Sequence, residues 1–362
     1  MTRNSKKMGG SYVYWARGEK AVLFILLLIL VFSLGVTGCR QGEEVAELPP
    51  GEEEPVEEQE PEPMGFLAPL TGELVEEEEL TKRRPVAVMI DNDPSFGAHS
   101  GLDKAAWVFE MPVEGGITRF LALFQHRDAP VLGPVRSIRP YFLDRAMEFQ
   151  AAVGHAGYSP QAKRDIAQLG IISLNEFSFS RLYWRTKDKK MPHNLYTNTE
   201  GLFAELKERG LDKITPSWDI SFYPEADPEA VPGEPATKVR IHYHIGVVEY
   251  RYSPLHGAYK RYFRGQPHED AETGEQLLVT NLILQETEKP RVLDSEGRLE
   301  LKTVGTGSAR VFQLGKNYEA VWEKKSREGW TRFAEAGGST IKLVPGNTWV
   351  QVVPEGTRLE IE

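Results

Sequence analysis

The chain has 362 residues, 40% of them hydrophobic and 27% charged, a formal net charge of −10, and one cysteine. That length suffices for two buried cores. No basic stripe is present, which argues against a nucleic-acid partner, and the absence of a cysteine cluster, an HExxH pair or EF-hand spacing leaves no metal site in view.

Arg3, Lys6, Lys7, Arg17 and Lys20 form a basic flank before an apolar run from Ala21 to Val36. The run has 16 residues, fewer than the roughly 20 that cross a bilayer. It ends in Leu34-Gly35-Val36-Thr37-Gly38-Cys39, which looks like a lipobox. Small Thr37 and Gly38 suit a signal peptidase, and the Cys39 thiol can accept a diacylglyceryl group. The expectation is a signal peptide over 1–38 and a lipidated Cys39 that anchors the rest to the extracytoplasmic face of the cell membrane. Residues 40–80 then hold fifteen Glu, one Arg and six Pro. Such a composition predicts a disordered, self-repelling tether. The signal region carries about +4 and residues 40–80 about −14, so the remaining 282 residues are near neutral.

An α/β domain is expected over 67–223. Pro85 to Ile90 is a buried-strand run closed by Asp91-Asn92-Asp93-Pro94, and Ala105–Glu110 and Ile117–Phe124 are further strands. Helices are expected over Pro140–Glu148, from Pro160 to about Leu169 with Ser159 as cap, and from Asn198 to Arg209. Ala151–His155 is a strand between the first two of them. Interleaved strands and helices predict a layered sheet.

Polar residues gather at the ends of these elements, where α/β scaffolds build sites. The candidates are Asp91, Asn92, Glu114, Arg136, Arg139, His155, Arg185, His193 and Asn194. Arg136 and Arg139 suit a phosphate or carboxylate; the commoner alternative is that they brace loops by pairing with Asp91, Glu114 or Asp144. His155 and His193 have the chemistry of acid/base groups, though neither sits in a catalytic spacing. Ser159 reads as a helix cap rather than a nucleophile. Asn194 suits a loop lock within the polar loop from Phe179 to Asn198.

Residues 224–235 hold four Pro and four acids and read as a linker. A mostly-β domain follows over 236–357, with alternating strands at Val239–Tyr243 and Val247–Tyr252 and later ones ending at Thr348–Val353. Tyr243, Tyr250, Tyr252, Tyr259 and Tyr262 are either exposed rings for sugar stacking or, more simply, cross-strand pairs.

Several long motifs carry a resemblance: Ala68–Gly72, Arg84–Asn92, Glu114–Phe120, Gly133–Pro140, Pro192–Tyr196, Asp270–Glu275 and Asn347–Pro354. Together they resemble the YerB-type lipoproteins, in that family's order, over residues about 66 to 355. The resemblance implies paired N- and C-terminal domains, a layered α/β fold and no established activity or catalytic residues, and it assigns Leu67–Gly72 to the fold, which limits the tether to 39–66. The family pattern expects an acid after Arg185, where this chain has Thr186. The functional expectation is a membrane-anchored binding module for an anionic envelope ligand or partner protein, with no cofactor. The alternative is an envelope enzyme acting on a phosphorylated or glycan precursor, with Asp91, Glu114 or His155 as acid/base.

Overall fold

The computed structural model describes residues 65–95 and 97–362. The expected signal peptide, Cys39 and the tether up to residue 64 lie outside the described residues. The described residues all belong to one compact unit.

Strand β1 (Val86–Asp91) is buried along its whole length, as an unbroken apolar run allows when both faces of a sheet are covered. Strands β2 (Trp107–Pro112) and β3 (Thr118–Phe124) are antiparallel neighbours, and β3 lies against β1. Pro140 opens helix α1 (Pro140–Glu148), where its missing N–H would have no partner anyway. Strand β4 (Ala152–His155) runs parallel to β1. Helix α2 (Pro160–Gln168) is capped by Ser159, whose Oγ accepts from the Ala162 N–H at 3.2 Å. Strand β5 (Ser173–Asn175) is parallel to β4. The stretch expected to be a polar loop carries a hairpin, β6 (Tyr183–Arg185) with β7 (Leu195–Thr197). Helix α3 (Thr199–Glu208) follows its Asn198 cap.

The second half is built of strands. β8 (Lys238–Tyr243), β9 (Gly246–Ser253) and β10 (Ala258–Phe263) form a meander. β11 (Asn281–Thr287), β12 (Gly305–Gln313), β13 (Lys316–Lys324), β14 (Arg332–Glu335), β15 (Thr348–Pro354) and β16 (Leu359–Ile361) complete it. Tyr250 and Tyr259 are buried rather than exposed, and Tyr252 faces Tyr259 across β9 and β10, so these rings pack between strands.

A large sheet of 11 strands runs through both halves in the order Glu234–Pro235, β13, β12, β11, β15, β2, β3, β1, β4, β5, with β14 also on β13. Strand β15 is parallel to β11 on one side and β2 on the other, with Val350 between Ile283 and Phe109. A six-stranded sheet of β16, β8, β9, β10 and two short strands covers one face together with α3, burying Val239, Tyr250, Phe120, Leu202 and Trp349 in one core. Helices α1 and α2 cover the opposite face, over Met89, Phe142, Val153, Ile283 and Val350. The mixed first half and the all-strand second half therefore share a continuous interior.

Candidate functional site

Strands β1, β4 and β5 end on the same edge of the sheet, at Asp91, His155 and Asn175. The Gly133–Pro140 segment is stitched across that edge. Its Arg136 N–H donates to the Met89 carbonyl at 2.9 Å, the Arg136 carbonyl accepts from the Ala156 N–H at 3.0 Å, and the Ile138 N–H donates to the Gly157 carbonyl at 3.1 Å. This fixed backbone brings Arg136 and Arg139 to the carboxyl ends of the strands, the usual place for a site on such a sheet.

Asp91 is fully buried, and its Oδ2 lies 3.0 Å from Arg136 Nε and 2.6 Å from His193 Nδ1. Arg139 grips Glu114 with both arms of its guanidinium, at 2.5 and 3.1 Å. Both arginines thus brace carboxylates. Burial raises the pKa of Glu114, but the Arg139 hydrogen bonds and charge, with Arg119 beyond them, hold it below the usual carboxylate range.

Arg119, at the start of β3, was not among the sequence candidates. It is 6% exposed, and among the described residues its side chain's one hydrogen bond donates from Nη1 to the Ser137 carbonyl at 2.8 Å. Its Nε is buried with no acceptor, and among the described residues no carboxylate pairs with it. Burial and the positive charges of Arg139 and Arg136 push its pKa down to about 10, against the opposing pull of Glu114 and Asp91. Three guanidiniums therefore converge on two carboxylates. The signal was present as a charge inside the apolar run from Ile117 to Phe124.

The remaining candidates have other duties. Asn92 points inward, donating to Glu110 at 3.1 Å and to the Thr118 hydroxyl at 2.6 Å, so it is not offered to a ligand. His155 donates from Nδ1 to the Gly157 carbonyl at 2.7 Å, which leaves Nε2 to accept from the Ser173 hydroxyl at 2.8 Å. Burial lowers its pKa to about 4, so the acid/base expectation for His155 is corrected: it is a neutral loop clamp. Arg185 pairs with Glu176 at 2.8 Å and with Asn194 Oδ1 at 3.0 Å; the acid comes from the end of β5 rather than from position 186. Asn194 donates to the Thr186 carbonyl at 3.0 Å and locks the hairpin end.

Behind Asp91 runs a buried polar chain that ties the two halves together. Arg261 can only donate, so His268 Nδ1 accepts from it, and the proton of His268 resides on Nε2. That nitrogen donates to His99 Nδ1 at 2.8 Å, and His99 Nε2 donates to the Asp91 carbonyl at 2.7 Å. Every bond direction, and with it each tautomer, follows from the guanidinium at one end. Burial pushes His99 down to about 3 and His268 well below its ordinary value, with the Arg261 charge acting in the same direction. Arg261 also meets Glu110 at 2.8 Å, both essentially unexposed, and Gln351 of β15 donates to the same carboxylate at 2.8 Å. Beyond Arg139 lies a cavity of about 430 Å³ that Tyr141, Asp144, Arg164, Arg298 and Arg327 also line. Among the described residues, no group of three or more His, Cys, Asp or Glu is placed to hold a metal ion.

Residues 70–212 match the N-terminal domain, and residues 239–350 the C-terminal domain, of a family described as a protein of unknown function, DUF3048. The chain belongs to the DUF3048 family. It is 33% identical over 293 residues to the Bacillus subtilis (strain 168) protein named "Putative lipoprotein YerB", covering 80% of this chain and 86% of the relative. The crystal structure of the YerB protein from Bacillus subtilis superposes with a TM-score of 0.72 at 31% identity, over 82% of this chain and 99% of that one. The DUF3048 architecture accounts for the mixed first half and the β-rich second half. Among the described residues no helix is long and apolar enough to cross a membrane.

Proposed function

We propose that this DUF3048 protein is an extracytoplasmic lipoprotein, anchored through Cys39, whose body binds an anionic ligand without transforming it. The Leu34–Cys39 junction and the name carried by its Bacillus subtilis relative support the anchor. The observation that carries the binding reading is Arg119. A guanidinium this buried, whose nearby carboxylates Glu114 and Asp91 are already engaged by Arg139 and Arg136, leaves three cations facing two acids and favours an added anion. Phosphate and carboxylate groups fit, since their paired oxygens match the planar guanidinium fork.

The enzyme alternative needs a group that exchanges protons at the site. Glu114 is held ionised by Arg139, and both nitrogens of His155 are engaged in the loop. The reading is tested on the 62–362 unit by thermal shift with pyrophosphate against chloride at matched ionic strength. A ligand at 100 times its Kd stabilises by about 2.7 kcal/mol. No response to pyrophosphate, or an undiminished response in Arg119→Met, overturns it.

A further inference from the structure

We propose that the face formed by the Gly157–Tyr158 loop, the turn after β5 and the tip of the β6–β7 hairpin docks directly onto an anionic lipid surface. This goes beyond the Arg119 reading and does not depend on it.

Three large apolar side chains stand out there. Phe177 is 77% exposed, Met191 69% and Tyr158 37%. Phe177 is not on a slack loop. The N–H groups of Ser178 and Phe179 both donate to the Asn175 carbonyl at 2.9 Å, and Asn175 Oδ1 accepts from the Gly157 N–H at 3.0 Å. His155 holds the Gly157 carbonyl at 2.7 Å. The Phe177 ring lies over Gly157, where an added Cβ would meet its Cε2 at 3.3 Å, and the positive φ of +75° there also favours glycine. The ring is therefore presented outward on a braced scaffold. Nothing within the described unit uses it.

Cations surround these groups. Lys163 Nζ sits 5.6 Å from the centre of the Tyr158 ring, and Arg164 beside it is exposed with no carboxylate partner among the described residues. Arg185, paired with Glu176 next to Phe177, leads into the hairpin tip, where Lys187 and Lys190 are exposed and flank Asp188. Basic groups interleaved with exposed aromatic and thioether side chains match the boundary between anionic headgroups and acyl chains. A carbohydrate platform would offer flat rings with polar edges, which Phe177 and Met191 lack. Residues 40–65 separate Cys39 from Phe66 and reach at most on the order of 90 Å, so an anchor at Cys39 keeps this face at high local concentration beside the bilayer.

The test is flotation of the unlipidated 62–362 unit, which has its own cores, with two vesicle types: phosphatidylglycerol mixed with phosphatidylcholine, and phosphatidylcholine alone. Binding to the anionic vesicles only is expected, with release near 1 M salt, where screening shortens to about 3 Å. The F177S/M191S double variant should keep its melting temperature and its pyrophosphate response while its vesicle partition falls about tenfold. Arg119→Met should lose the pyrophosphate response yet still float, which separates failure of the anion site from failure of this face. Equal binding to phosphatidylcholine, unchanged flotation of F177S/M191S, or capture of a soluble anionic glycan by this face with no vesicle binding each overturns the proposal.

Discussion

Replacing Arg119 with Met should leave the unliganded protein as stable as before or more so, while abolishing its response to anions. Burial, with Arg139 and Arg136, pushes the guanidinium down from its ordinary value to about 10, against the pull of Glu114 and Asp91. Each unit of that gap corresponds to 1.36 kcal/mol, so holding the charge in place costs on the order of 3 kcal/mol. The sign follows from linkage. The unfolded chain binds the proton more tightly, so the penalty is complete below about pH 10 and fades only above it. Met fills similar space without charge, but the bond to the Ser137 carbonyl is lost, which returns about 1.5–3 kcal/mol. The net expectation is a melting temperature unchanged or a few degrees higher at neutral pH, since 1 kcal/mol moves Tm by about 2–4 °C in a domain approaching this size. Thermal melts of wild type and variant, with and without pyrophosphate, decide it. A Tm drop well beyond 5 °C would mean that Arg119 is a structural brace. Retention of the full pyrophosphate shift would place the anion elsewhere.

Three further outcomes are expected. The buried histidines make the fold acid-labile. His99 and His155 stay neutral down to about 3 and 4, so below 6.5 the unfolded chain takes up protons first, and each group removes about 1.4 kcal/mol per pH unit. Chemical denaturation between pH 7 and 4.5 checks this, and ¹⁵N shifts should report His99 and His268 as neutral Nε2–H tautomers throughout; a charged imidazolium at either site contradicts the chain of bonds. Glu110→Gln leaves Arg261 buried without its counter-ion and should lower stability by about 3–5 kcal/mol, read from urea midpoints. Cys39→Ala should shift the full-length protein out of the detergent phase in a partition assay; normal retention would remove the lipid anchor.

Much of the scaffold was legible because local rules and tertiary packing agree there. Helix α1 starts at Pro140 and ends at Glu148 as expected, and β1 reads as an unbroken apolar run. The hairpin of β6 and β7 was hidden, because three-residue strands within a polar stretch give too little alternation to read. The pairing of Arg136 with Asp91 and of Arg139 with Glu114 was foreseeable as loop bracing. Arg119 was passed over because a lone charge in a strand has no periodic signature. The chain from Arg261 to Asp91 joins residues far apart in sequence, and only three-dimensional pairing brings His99 and His268 together.

The position of β15 bears on how the protein reaches its final state. Gln351 touches Glu110 across 241 residues of chain, and β2 has no other partner on that side. Until residues 348–354 are in place, the first half carries an open, hydrophobic strand edge, the kind of surface that invites aggregation. A chain truncated before Thr348 should therefore be degraded rather than survive as a half-protein.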